Sequence, residues 1–261
     1  MKIADIHIHS NLSDGVRAPE SIVDFTEQLK VLDKIYITDH NSIEGSIRAK
    51  NYAISKLYKI DVGIGSEISS KDCHIVALDI NKDIKKGMSV EKTAEEVLSQ
   101  GGFPVIAHPY NPFFSVRHQR GGVLIKRLVA AKIPFAIEVN GTHNYTTILY
   151  KKGKLLNKKS SLALTNKKAI NIANKYNIPI VGGSDAHMLR VIGSAYTVYQ
   201  DNLVEDIKQR NISYGFNFSD RKSGLVYLSY HILFNPIPLD MRKKRKMLNI
   251  LPKARDIRSV E

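Results

Sequence analysis

The 261-residue chain has one cysteine, Cys73, and no tryptophan. A single thiol excludes an intramolecular disulfide framework and a four-cysteine zinc site. Long apolar runs are also missing. The most apolar stretch, Leu225–Phe234, covers ten residues, whereas a membrane-spanning helix needs about 20. The opening MKIADIHIHS lacks the apolar core of a secretory leader. These absences lead us to expect a soluble, cytoplasmic protein. There is no internal repeat and no low-complexity linker. With 43% hydrophobic and 25% charged residues, the chain can build a sizeable core, and general disorder is excluded. The length suits one large α/β barrel or two small domains.

Acidic residues are in short supply. Thirty-nine Lys and Arg face 25 Asp and Glu, a net charge of +14. Residues 221–261 hold ten Lys/Arg and three Asp/Glu, so half of the excess, +7, lies in the last part of the chain. A basic balance points to anionic partners such as nucleic acid, nucleotides or acidic lipid, or simply to a solvated basic surface.

Short β-branched runs alternate with helical patterns. The expected strands are Lys2–His9, Lys34–Thr38, Ile60–Gly65, His74–Ile80, Val105–Ala107, Phe135–Val139, Ile178–Val181 and Ser194–Tyr199. Their nearly continuous apolar character is that of parallel strands covered on both faces. Between them, Ile22, Phe25, Leu29 and Leu32 mark a helix after Pro19. Ile43, Ile47, Ile54 and Leu57 mark a second stripe. Val90, Ala94, Val97 and Leu98 mark a third, with Ser89 as N-cap and Gly101 as stop. Val123–Ala131, Ala169–Tyr176 and Leu203–Ile207 give three more. Residues 145–165, rich in lysine, read as an exposed basic loop. The alternation predicts an α/β fold with a parallel sheet, closed as a compact (β/α) barrel over residues 1–220. Residues 221–261 break the pattern and read as a basic C-terminal tail.

Six of the nine histidines fall at strand ends or in the turns just after. His7 and His9 flank one residue, and on a strand positions i and i+2 point to the same side. Asp14 sits in a Ser-Asp-Gly turn close enough to curl back over them. His40 ends the second strand, Glu67 the third and His108 the fifth; His74 opens the fourth; Asp185 and His187 follow the seventh. In a barrel the C-terminal strand ends share one mouth. Six imidazoles and three carboxylates would converge there. One zinc needs three or four ligands, so nine donors suit two or three divalent ions, with Zn, Mn or Fe matching the nitrogen and oxygen mix. Clustered metals of that kind attack phosphorus or carbonyl centres through an activated hydroxide. No side-chain nucleophile is then required, and none is assigned as catalytic.

At these residues the sequence resembles a known family. DIHIHSNLSDG, ITDHNS, GSEIS, HIVALDI, VIAHPY and GGSDAH are similar, in order across roughly residues 1–200, to the successive motifs of the PHP (polymerase and histidinol phosphatase) family. The resemblance implies a distorted (β/α)7 barrel with a di- or trinuclear metal site and hydrolysis of phosphoesters. By motif position it puts the metal ligands on His7, His9, Asp14, His40, Glu67, His74, His108, Asp185 and His187. The stretch between Glu67 and His74 is short, and the inserted domain of the nucleotide-phosphatase and 5′-to-3′ exoribonuclease branch is missing, as is any polymerase domain.

Around this set, Arg117, His118 and Arg120 follow the His108 loop and are expected to bind a substrate phosphate through arginine forks. Asn140 and His143 lie past the sixth strand, and Arg190 follows His187; these are further expected substrate contacts. Glu138 and Asp39 are expected to orient ligand imidazoles. Cys73, beside His74, reads as a buried thiol. The tail joins Leu225–Phe234 to the run Arg242-Lys243-Lys244-Arg245-Lys246. It reads as an apolar segment packed on the barrel with a solvated charged end, or as an arm for nucleic acid or a membrane surface. The expected activity is a metal-dependent phosphoesterase acting on a nucleotide or nucleic acid end. The alternatives are a small-molecule phosphate monoesterase, a hydrolase of carbon–nitrogen bonds and a non-catalytic nucleic-acid-binding module.

Overall fold

The computed structural model describes residues 1–110, 121–141, 149–151, 154–156 and 161–216. The strands are β1 (Lys2–Ile8), β2 (Lys34–Ile37), β3 (Asp61–Ser69), β4 (His74–Leu78), β5 (Phe103–Ile106), β6 (Ala136–Asn140), β7 (Leu149–Lys151), β8 (Lys154–Leu156), β9 (Ile180–Gly183), β10 (Ala195–Tyr199) and β11 (Ser213–Phe216). The helices are α1 (Pro19–Leu29), α2 (Glu44–Ser55), α3 (Val90–Ser99), α4 (Gly121–Ala130), α5 (Ser161–Tyr176) and α6 (Leu203–Gln209). Among the described residues nine strands form one sheet, in the order β11-β10-β1-β2-β3-β4-β5-β6-β9. The β7–β8 hairpin stands apart.

The sheet nearly closes into a barrel. β1 pairs with β10 over Lys2–Ala4. Farther along, His9 N–H donates to Ala186 O at 2.8 Å and Ala186 N–H to His7 O at 3.2 Å. One strand thus serves two neighbours, and the segment after β9 reaches it only at the mouth. Below that point the Thr197 hydroxyl donates to Gly182 O and accepts from Gly182 N–H, at 3.1 and 2.9 Å. A side chain there replaces the missing ladder. Inside, one apolar cluster draws Ala4, Ile6, Tyr36, Val76, Val105 and Val181 from five strands, together with Leu203 and Ile207 of α6. Separate clusters lie beneath the outer helices.

Two departures from a regular (β/α) barrel decide the site. The β1–β2 register shifts between Asp5 and Ile8. Ile6 packs in the lumen cluster, whereas Ile8 packs beneath α1 and α2. Strict alternation from Ala4 and Ile6 would have sent His7 and His9 to the helix side. The shift turns them into the mouth. Second, β4 runs antiparallel to both β3 and β5. The expectation of an all-parallel sheet is corrected here. Only residues 70–73 separate β3 from β4, and a parallel crossover needs a dozen or more. The reversal brings the start of β4, and with it His74, to the same mouth as the ends of its neighbours.

Other expectations shift in detail. Pro19 opens α1, and Ser89 Oγ caps α3 by accepting from Lys92 N–H. β3 extends past Gly65, so Glu67 lies within the strand and not at its end. Residues 145–165 are not one loop: they include the β7–β8 hairpin, and α5 begins at Ser161. Of the stripe assigned to α2 only Ile43, at the N-cap, is buried. Ile47, Ile54 and Leu57 are exposed, while Gly45, Ser46, Ala49 and Ala53 are buried. The small face is inside because a Cβ at Gly45 would collide with Asp39 Oδ2. Close approach of α2 to the sheet outranks its apolar stripe. The expected tail, residues 221–261, lies outside the described residues.

Candidate metal centre

The nine side chains singled out by the strand-end pattern all meet at one end of the barrel. Glu67 sits among them, 1% exposed. Its Oε1 lies 2.9 Å from His74 Nδ1 and 3.0 Å from His108 Nε2. Its Oε2 lies 3.2 Å from His40 Nδ1, 3.3 Å from His9 Nε2 and 3.5 Å from His7 Nε2. Asp185 Oδ1 approaches His9 Nε2 at 3.4 Å and His7 Nε2 at 3.6 Å. Asp14 Oδ2 approaches His187 Nε2 at 3.1 Å and His40 Nε2 at 3.4 Å. Four donor triads fit within a single ion's reach: His7, His9 and Asp185; His7, Glu67 and His108; His9, Asp14 and His187; His9, His40 and Glu67. His9 belongs to three of them and His7 and Glu67 to two each. Shared donors mean adjacent sites.

The arrangement fits divalent cations better than it fits a hydrogen-bonded core. His7 Nε2 and His9 Nε2 face each other at 3.1 Å. Two ring nitrogens at that spacing form an edge of a coordination polyhedron with bonds of about 2.0–2.1 Å. The buried ring nitrogens His9 Nδ1 and His40 Nδ1 make no hydrogen bond, although carboxylate oxygens stand 3.4 and 3.2 Å away. A buried polar atom without a partner calls for an explanation, and a cation between nitrogen and oxygen supplies one. The site is closed on the side of His7, Glu67 and Asp185 and open at Asp14, His40 and His74, which are 35%, 28% and 21% exposed in their side chains.

The electrostatics are those of an imidazolium–carboxylate network. Burial works against the charged form of His7, but Glu138, Glu67 and Asp185 override it and raise the His7 pKa well above normal. For His9 burial again opposes, and Asp185 and Glu67 push the value up to about 10. Burial would raise Glu67, Asp14 and Asp185. The facing imidazoles win, and all three carboxyls fall below the usual range.

Behind the donors stands a ring of positioning groups. His7 Nδ1 lies 2.7 Å from Glu138 Oε1. This pairing keeps a ring proton on Nδ1, so that a metal ion displacing the other proton would meet the Nε2 lone pair. Glu138 Oε2 accepts from His108 N–H at 2.8 Å. His108 and Asp185 hold left-handed backbone angles, φ 28° and 55°, each a strain of about 1–3 kcal/mol that the surroundings must impose. Glu138 thus contacts an imidazole of the cluster, as expected. Asp39 does not touch an imidazole. It accepts from Ser10 N–H, Ser10 Oγ and Ser13 Oγ at 2.7, 2.6 and 2.7 Å, and so pins the turn that carries Asp14. Asn140 is fully buried, and its Nδ2 donates to Asp185 Oδ2 at 3.2 Å. It stands behind the carboxylate, not at the open face where a substrate contact belongs. Arg190 is exposed in the 3-10 turn Leu189–Val191. Arg117, His118, Arg120 and His143 lie outside the described residues. Cys73 is a thiol pushed up to about 12, chiefly by burial, which disfavours thiolate ligation.

Sequence reasoning missed Asp5. It is fully buried and accepts from Ser184 N–H at 3.0 Å and Gly193 N–H at 2.7 Å. It thereby ties down both ends of the segment that carries Asp185 and His187. Burial raises its pKa to about 6, against the pull of these donors. The signal was present as an acid inside an apolar strand, a position an unpaired charge rarely occupies.

Gly183 offers a test of the positioning ring. A Cβ there would meet Glu138 Oε1 at 2.5 Å and His7 Cβ at 2.9 Å. Gly183→Ala is expected to displace the carboxylate from His7 and weaken metal affinity by about 10–100-fold, the usual range for a lost outer partner. Competition with a chelator measures it. Affinity within twofold of the parent would show that Glu138 does not set the orientation of His7.

Known proteins resemble this chain in sequence and fold. A family model described as PHP-associated, PHP_C, matches residues 163–211. An uncharacterized protein of Methanocaldococcus jannaschii, MJ1587, is 37% identical over 120 residues, which cover 42% of this chain and 68% of that one. The 5′-3′ exoribonuclease Rnm of Escherichia coli is 28% identical over 140 residues, 52% of this chain and 41% of that one. Among solved structures, a two-domain protein of Bacteroides vulgatus containing a predicted PHP-like metal-dependent phosphoesterase superposes with a TM-score of 0.60. The identity there is 21%, and the match covers 83% of this chain and 65% of that one, so the likeness is one of fold.

Proposed function

The chain belongs to the PHP (polymerase and histidinol phosphatase) family, and from that premise we propose that it is a metal-dependent phosphoesterase acting on the phosphorylated end of a nucleotide or nucleic acid. One observation carries the reading: nine imidazole and carboxylate side chains share one mouth, eight of them in donor triads with common members and His74 against Glu67. Two or three divalent ions of the zinc, manganese or iron kind, when bound, supply Lewis-acid charge to phosphoryl oxygens and lower the pKa of water. The chain's own residues do the rest. Glu67 and His9 link the triads and fix their spacing. His7 is held by Glu138 with its Nε2 turned inward. Asp14, His40 and His74 form the open edge where substrate enters. Asp39 and Asp5 hold the two segments that bring Asp14, Asp185 and His187 together.

Support for an anionic polymer comes from the net charge of +14, half of it in residues 221–261, and from the likeness to an exoribonuclease. On this reading residues 1–220 are the hydrolase barrel and 221–261 a basic extension. Arg117, His118, Arg120, His143 and Arg190 contribute cations or donors for the substrate phosphate, and Asn140 acts through Asp185. No helix among the described residues is long and apolar enough to cross a membrane.

The test is phosphate and nucleotide release by the metal-reconstituted protein from mononucleotides, 5′-phosphorylated oligonucleotides, histidinol phosphate and p-nitrophenyl phosphate. A second arm uses a protein lacking residues 241–261. Oligonucleotide turnover is expected, with affinity that falls with salt and a salt slope that flattens on truncation, because fewer counterions are released. Turnover of small monoesters alone, untouched by truncation, would replace this reading with a monoesterase.

A further inference from the structure

A recess of about 310 Å³ opens at the other end of the barrel from the metal mouth. That volume is at the lower end of the range in which small-molecule sites fall, about 300–1,000 Å³. Phe103 and Phe135 stand in its wall at the starts of β5 and β6, whose far ends lead to His108 and Asn140. A strand of four or five residues spans about 15 Å, so the recess and the nine donors are separate places. None of the nine donors lines it.

Its lining mixes apolar and cationic groups. Half-buried Tyr176 and the buried Phe103 and Phe135 line it, and Asn177, Lys132, Lys208 and Arg210 complete the rim. Among the described residues no carboxylate lines the recess. Lys132 follows α4 and Arg210 caps α6, both in left-handed conformation with φ 56° and 62°. Helix termination explains where these two cations sit on the chain, since positive charge is favourable at helix C-termini. It does not explain a recess between them. Lys208 Nζ also contacts Glu205 Oε1 at 2.6 Å, a pair on an exposed helix surface and therefore weak. Three cations from two separate segments around one hollow that holds Tyr176 match an anion that carries a ring. The ring stacks on Tyr176, and a phosphate meets the lysines and the arginine fork. We propose that this recess binds a nucleoside monophosphate, as a second site that does not compete for the metal mouth.

The experiment is calorimetric titration of the full-length, metal-loaded protein with the non-hydrolysable phosphonate analogue of AMP. The parent is expected to bind at two sites, the recess and the mouth. Lys132→Glu with Arg210→Glu should weaken one of them at least tenfold and leave p-nitrophenyl phosphate turnover unchanged. Both residues are exposed, so the variant is expected to fold. A measurement that needs no variant is acetylation footprinting: the analogue should slow acetylation of Lys132 and Lys208 but not of Lys50. Equal titration curves for parent and double variant would overturn the proposal. So would acetylation of Lys132 and Lys208 that the analogue leaves unchanged.

Discussion

Glu67→Gln is expected to abolish hydrolysis, by roughly 10³-fold or more, and to remove at least one divalent ion per chain; losses of that order follow when a group acting directly in the reaction is removed. The reason lies in how many partners one carboxylate serves. Glu67 lies within 3.5 Å of ring nitrogens from His7, His9, His40, His74 and His108, and it is shared between two donor triads. An amide has nearly the same shape but no charge, and its nitrogen cannot accept. Cations gathered around it would lose their common counter-charge. The metal-free protein should suffer too. Raised imidazoles and a lowered carboxyl mean that the folded state holds a buried ion network, and removing one partner of such a network costs about 3–5 kcal/mol. Elemental analysis and thermal melting, each with and without added metal, separate the two effects. Full metal content with full activity in Glu67→Gln would refute the assignment of Glu67 as a bridge. A loss of stability that added metal fails to restore, with activity intact in the folded fraction, would reduce its role to structure.

Much of this centre was legible in the sequence, and the reason is geometric. A side chain at a strand end in a barrel has few places to go, so the chain positions of His7, His9, His40, His108, Asp185 and His187 already implied a common mouth. Direction along a strand was less legible. His74 reaches the mouth only because β4 is reversed, and the clue was the brevity of residues 70–73, too few for a crossover. The register shift in β1 left no trace in the sequence. It arises from tertiary pairing, as β1 changes partners from β10 to the segment after β9. The outer stripe of α2 misled for a related reason. Periodicity reports amphipathicity, but Gly45 lets the helix approach Asp39 so closely that small residues face inward. The positioning acids Asp5 and Asp39 act through backbone N–H and hydroxyl groups of distant segments, and such contacts exist only after folding.

The protonation states of the centre predict how metal affinity changes with pH, and the expected dependence is steep and continues well above neutrality. In the metal-free protein His9 is raised to about 10 and His7 lies well above its ordinary value, because Asp185, Glu67 and Glu138 outweigh the burial of both rings. Groups raised in this way stabilise the fold fully below the unfolded histidine value of about 6.5. That contribution is lost as the pH rises through the folded values, toward about 10 for His9. Asp14, Glu67 and Asp185 have the opposite sign: their contribution is present above about 4 and is lost as pH falls through their lowered values. Between these limits protons hold the network together, and a metal ion must displace them. Each displaced proton makes the metal constant rise tenfold per pH unit, about 1.4 kcal/mol. With an ordinary imidazole the rise would level off near pH 7. Here it should continue to about pH 10, and calorimetry in buffers of different ionisation enthalpy should record proton release on metal uptake at pH 8. Chelator competition from pH 6 to 10 measures the slope. A metal constant that is flat above pH 7.5, with no proton released, would mean that His7 and His9 are neutral before the metal arrives and that the carboxylates around them carry no such coupling.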